Sequence, residues 1–173
     1  MDNFSEQLVT RKETKSDKAA RIGTLITGSL FTLCLALLGL LQLSQPVITL
    51  MFLLLAAAGG YMTYLLVQGR YVEYEYTFTN GELDIDKIIA QKKRKELLTV
   101  EVRTFSDFGK YSFDMEETDD MTVVYATDNI ISNEYYADFE HKEYGRTRLI
   151  FVPDEKMLDN IKKFLPAKLR NSI

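Results

Sequence analysis

The sequence has no tryptophan, one cysteine, one histidine and three prolines. A lone cysteine, Cys34, makes no intramolecular disulfide, and a lone histidine, His141, builds no metal site without partners. Glycine-rich phosphate loops, zinc-ligand spacings and nucleophile elbows are missing, so the chain reads as non-enzymatic and without a cofactor. The net charge of −4 lacks the basic excess of a nucleic-acid binder. The absence with the largest consequence is local: no charged residue occurs from Ile22 to Gly69.

That uncharged stretch holds two apolar runs, 22–43 and 47–67, separated by Ser44-Gln45-Pro46. A helix needs roughly 20 apolar residues to cross the hydrocarbon core, so each run predicts one span. A secretory signal has an apolar core of only ~7–15 residues and no second span close behind it. A proton relay or ion path needs ionisable groups inside the spans, and there are none. Arg11, Lys12, Lys15, Lys18 and Arg21 precede the first run, Arg70 follows the second, and the turn carries no cation. Cationic flanks stay inside, which predicts a plasma-membrane hairpin with both termini cytoplasmic and Tyr61, Tyr64 and Tyr71 towards the inner interface. Gly28, Thr32, Ala36 and Gly39 share one stripe of the first span. Ala56 and Gly60, with Ala57 and Gly59 beside them, give the second span a similar surface. Small residues let helices approach closely in lipid, either within the hairpin or against another membrane protein.

Three regions follow: a cytoplasmic lead over 1–21, the hairpin over 22–67, and a cytoplasmic domain over 70–173. In the lead, Phe4 and Leu8, with Val9 beside them, share a helical face, which suits a short interfacial helix or a frayed tail. After Arg70 the period becomes two. Val72, Tyr74, Tyr76 and Phe78 alternate with Glu73, Glu75 and Thr77, Asn80-Gly81 makes a hairpin turn, and Glu82 to Ile89 returns. Gln91 to Lys95 forms the next reversal or opens a third strand, read over Glu96 to Phe105 and broken at Phe108-Gly109-Lys110-Tyr111. Further strands are predicted over 121–126, 134–141 and 146–152. A helix capped by Asp154 then places Met157, Leu158, Ile161, Phe164 and Leu165 on one face and stops at Pro166.

Hairpin-linked strands followed by one amphipathic helix predict an α+β domain with an antiparallel, barrel-like sheet. Three stretches carry a resemblance to the bacterial pleckstrin-homology-like (PH-like) domain: Tyr74 to Ile85, the basic reversal at Lys92 to Lys95, and Leu149-Ile150-Phe151-Val152-Pro153 leading into the helix. The whole chain also resembles a family of small bacterial two-span membrane proteins, through Glu6-Gln7-Leu8-Val9, the run Asn80 to Lys95 and Gly145-Arg146-Thr147. No activity is assigned to that family, so the resemblance implies fold and topology and carries no catalytic residue across.

Lys92, Lys93, Arg94 and Lys95 are the leading polar candidates. The first strand runs away from the membrane and its partner returns, so this reversal faces the inner leaflet, where each cation is worth on the order of 1 kcal/mol against anionic lipid. A solvated turn or a protein-facing surface are the other readings. The acidic segment Asp114 to Asp120 lacks the spacing and central glycine of a calcium loop. The expected function is a membrane-anchored binding or scaffolding module, with the bilayer, anionic headgroups and another membrane protein as partners. The other reading is a structural or regulatory subunit of a complex assembled through the hairpin.

Overall fold

A computed structural model describes residues 3–115, 118, 120–129 and 133–170. The chain divides into two units, Glu13–Tyr71 and, on either side of it, Met1–Lys12 with Val72–Ile173.

The first unit is a pair of helices, α1 (Lys15–Leu41) and α2 (Pro46–Gln68), both long and apolar enough to cross a bilayer. α1 begins before the apolar run because its start is capped. Thr14 Oγ1 accepts from the Asp17 amide, and the Asp17 carboxylate accepts from the Thr14 amide, each at 3.1 Å. Lys15, Lys18 and Arg21 are therefore helical. Pro46 opens α2 at the position where a missing N–H leaves nothing unsatisfied.

The second unit holds two four-stranded sheets. The first has the order β1 (Phe4–Thr10), β2 (Val72–Thr79), β3 (Glu82–Ile89), β4 (Lys93–Glu101), all antiparallel. The lead is thus neither an interfacial helix nor a frayed tail: residues 4–10 pair with β2 from Phe4↔Thr79 to Thr10↔Glu73. Their alternation is inverted. Ser5, Gln7 and Val9 stand opposite Phe78, Tyr76 and Tyr74 on the inner face, while Phe4 and Leu8 are half exposed outside. Polar inner positions are tolerated because they are bonded. Gln7 donates to the Val152 carbonyl at 2.8 Å and accepts from the Asp154 amide at 2.7 Å, and Ser5 Oγ accepts from Asn160.

Asn80 and Gly81 turn β2 into β3 with φ of 51° and 104°, as an Asn-Gly hairpin requires. The space over Gly81 is filled by Phe164, whose ring would lie 2.6 Å from an added Cβ. The next reversal uses Ala90 and Gln91 at φ 54° and 56°, so the basic run stands at the start of β4. A register shift at Ile85/Asp86 makes Leu97 an extra residue in β4. After Glu101 a tight 3-10 turn over Val102–Thr104 ends the strand and buries Val102.

The second sheet is β5 (Asp107–Lys110), β7 (Tyr135–His141), β8 (Gly145–Phe151), β6 (Thr122–Ala126), in that order. The pairing of β6 with β8 is parallel, so this sheet is mixed. Phe108, Gly109 and Lys110, read from sequence with Tyr111 as a break, belong to the strand β5. Neither sheet closes into a barrel. The acidic segment lies partly outside the described residues, at Glu116, Glu117 and Asp119.

The inner faces of both sheets meet in one core with helix α3 (Glu155–Phe164), whose cap Asp154 accepts from the Met157 amide at 2.7 Å. Met157, Ile161 and Leu165 are fully buried, and Pro166 separates α3 from the short α4 (Ala167–Arg170). Edge-on aromatic pairs join the layers: Tyr76 with Phe151 and Phe78 with Phe164. Each such fully buried side chain contributes about 1.5–3 kcal/mol relative to exposure. Burial holds the Tyr76 hydroxyl well above its ordinary pKa, so it stays a donor, to the Ala126 carbonyl.

Candidate binding surfaces

The first surface is the basic run. Thr10, Val72, Ile89 and Lys93 lie at one end of the first sheet, the end where the chain leaves for the helices and returns. All four residues of the run are exposed, but they do not act alike. Arg94 points to the outer face, ion-paired with Glu75 and within 3.6 Å of Asp86. Among the described residues no carboxylate comes within ion-pair distance of Lys92, Lys93 or Lys95. Three cations, rather than four, stand open to a partner at this end.

The second lies on the far face of the β7–β8 sheet from the core. Arg148 crosses to Asp138 with two bonds of 2.7 Å, Nε to Oδ1 and Nη2 to Oδ2, a fork-to-fork geometry. Its guanidinium lies 5.3 Å over the Tyr136 ring, and the Tyr136 hydroxyl donates to Asp107 at 2.9 Å. Burial, then the hydrogen bond and charge of Asp107, push the Tyr136 pKa up to about 12. Gly109 on β5 leaves room for the same ring, whose edge would be 3.2 Å from a Cβ there. The chain of contacts satisfies its members and orders three strands; it does not present a reactive group.

The third was not legible in the sequence, because its walls come from distant segments. A cleft of about 620 Å³ separates β4 from the β7–β8 turn. Glu82, Glu96 and Glu101 lie on one side, and Glu140, Glu143 and Tyr144 on the other. His141 stacks on Tyr144 at 4.7 Å between ring centroids, accepts from the Glu143 amide and meets the core residue Phe139 edge-on at 6.4 Å, so it joins the turn to the end of the core face.

The small residues of the helical unit meet one another. A Cβ at Gly28 would run into the side chain of Thr63, and one at Gly39 would lie 3.0 Å from Phe52 Cβ. Thr32 faces Gly59 and Gly60, with 3.5 Å and 3.7 Å to spare for a Cβ. Ala56 is buried and Ala36 is half-buried. Close approach is thus required at Gly28 and Gly39 and merely permitted at Gly60.

A family model described as a bacterial PH-like domain (DUF6106) matches residues 1–171. No curated protein and no solved structure matches the chain. The match runs through β1, both apolar helices and the β domain, so the helical pair is part of the family pattern.

Proposed function

The chain belongs to the family of bacterial PH-like domains, and from that premise we propose that it is a membrane-anchored, non-enzymatic binding module working at the inner face of the plasma membrane. The observation that carries this reading is the pairing of β1 with β2 across the two apolar helices. Strands that pair lie on the same side of a membrane, so the segment between them crosses an even number of times. A two-span hairpin meets that condition, and the cations of its flanks, Arg11 to Arg21 and Arg70, favour the cytoplasmic side for both ends. The test is labelling with a membrane-impermeant maleimide in intact bacteria. With Cys34 replaced by alanine, a single cysteine at Ser44 is expected to label, and one at Lys142 only after permeabilisation. The reverse pattern rejects the orientation.

Anchoring confines the domain to two dimensions and raises its effective concentration for other membrane components. Lys92, Lys93 and Lys95 are proposed to touch anionic headgroups, each contributing on the order of 1 kcal/mol at the surface. In nanodiscs, amide exchange across Ala90 to Lys93 is expected to be slower with anionic than with zwitterionic lipid. Replacing the three lysines with glutamate should remove the difference. Equal exchange of the wild-type protein in both discs would rule the contact out.

A further inference from the structure

β4 is an edge strand, paired only with β3 among the described residues. Val102 donates to the Gly81 carbonyl at 2.8 Å, which fixes the alternation of the ladder. Leu98 and Val100 therefore bond across to β3, while Thr99 turns its N–H and C=O, and Glu101 its N–H, away from it. The Glu101 carbonyl is taken by the Thr104 hydroxyl at 2.7 Å. No other backbone bond reaches this side of β4 from a described residue. The open edge faces the cleft, whose far wall is the β7–β8 turn.

The charge around that edge is uncompensated. Glu82 and Glu101 stand directly opposite each other, an arrangement that destabilises a sheet. No cation comes within ion-pair distance of Glu82, Glu96, Glu101, Glu140 or Glu143 among the described residues. Lys142 is the only cationic side chain of the lining. Tyr144, 42% exposed, lies in the same lining with His141 stacked on one face of its ring.

We propose that the β4 edge and its cleft take an extended, cationic segment of a partner protein, added to the first sheet as a fifth strand. Added strands gain affinity from main-chain bonds and selectivity from side chains on alternate positions. Here the open edge supplies the bonds, and the glutamates select lysine or arginine at every second residue. The segment needs about five residues to span Leu97 to Glu101, roughly 17 Å at ~3.3 Å per residue. This inference rests on the reading of the chain as a binding module and is separate from the headgroup contact, since it uses none of Lys92, Lys93 and Lys95.

The test uses the full chain in nanodiscs of zwitterionic lipid, with empty discs as the blank. The probe is a fluorescent peptide of alternating lysine and valine, followed by anisotropy at low salt. Saturable binding is expected. Glu82→Gln with Glu101→Gln and Glu143→Gln should weaken it at least about tenfold, while leaving the circular dichroism spectrum unchanged. Two further peptides have identical charge, one N-methylated at its lysine amides and the other at its valine amides. Only one set of amides faces β4, so their affinities should differ by at least about tenfold. Equal affinity of the two methylated peptides would reduce the effect to charge alone and overturn the proposal. So would unchanged binding by the triple variant, the absence of binding above empty discs, or self-association of the chain that the peptide does not compete. None of these outcomes alters the expected cysteine-labelling pattern or the exchange at Ala90 to Lys93, so the two readings fail separately.

Discussion

A chain that lacks residues 1–11 is expected to keep its apolar helices and to lose its folded β domain. The deleted segment looks dispensable in sequence, yet it supplies a full strand of the first sheet. Its removal deletes the β1–β2 ladder, the two bonds of Gln7 to Val152 and Asp154, and the burial of Val9. Each hydrogen bond is worth about 0.5–1.5 kcal/mol net, and a buried valine about 1.5–3 kcal/mol. The sum approaches the ~5–15 kcal/mol that hold a typical domain folded. The converse experiment is sharper. The Arg11 backbone amide donates to the Val72 carbonyl at 3.0 Å, so the ends of the β unit are adjacent. Replacing Glu13 to Tyr71 with a Gly/Ser linker of about four residues should give a soluble domain with a cooperative melt. A fragment starting at Arg70 should give none. If that fragment melts as cooperatively as the linked form, β1 is not integral to the fold.

Asp138→Asn is expected to cost about 3–5 kcal/mol, because it leaves the buried Arg148 charge without its bidentate carboxylate. The side chains concerned are 6% and 16% exposed, so water cannot replace the lost partner in place. For a domain of this size the melting temperature should fall by more than about 10 °C. The double replacement Asp138→Leu with Arg148→Met should recover most of the loss, since it removes both charges and keeps apolar volume. A double-mutant cycle by thermal or urea unfolding measures the coupling. Additive single effects would show that the pair does not act as a unit.

These two sites also show what the sequence could reveal. The helical pair, the Asn80-Gly81 hairpin and α3 follow from local signals: uncharged length, a turn dipeptide, and an N-cap before an apolar stripe. β1 escaped because its alternation is inverted, with Ser5 and Gln7 inward and Phe4 and Leu8 outward. Its inward polar groups are satisfied by α3 and by the segment before it, which no local pattern reveals. The turn at Ala90-Gln91 escaped because neither residue announces a positive φ. β5 is short and contains Gly109, which marks room for the Tyr136 ring rather than a break. The basic run was legible as a feature, but the loss of Arg94 to Glu75 was not, because that pair spans the sheet from β2 to β4. For the same reason the parallel β6–β8 pairing and the acidic cleft required the fold: each joins segments remote in sequence.

The place of the helical pair between β1 and β2 has a consequence for how the protein is made. β1 is synthesised before the helices, and its partner emerges only after both of them. On the proposed reading of that pair as a membrane hairpin, β1 waits unpaired through the whole of insertion. On that reading, only a chain whose two helices have gone in and come back can close the first sheet. A chain stalled with one helix across leaves β2 without its neighbour and the inner face beside Tyr74 and Tyr76 uncovered. Exposed apolar strands of this kind are what chaperones and proteases act on. On the same reading, completion of the sheet proofreads insertion, and the domain's own stability becomes the signal that the anchor is correct.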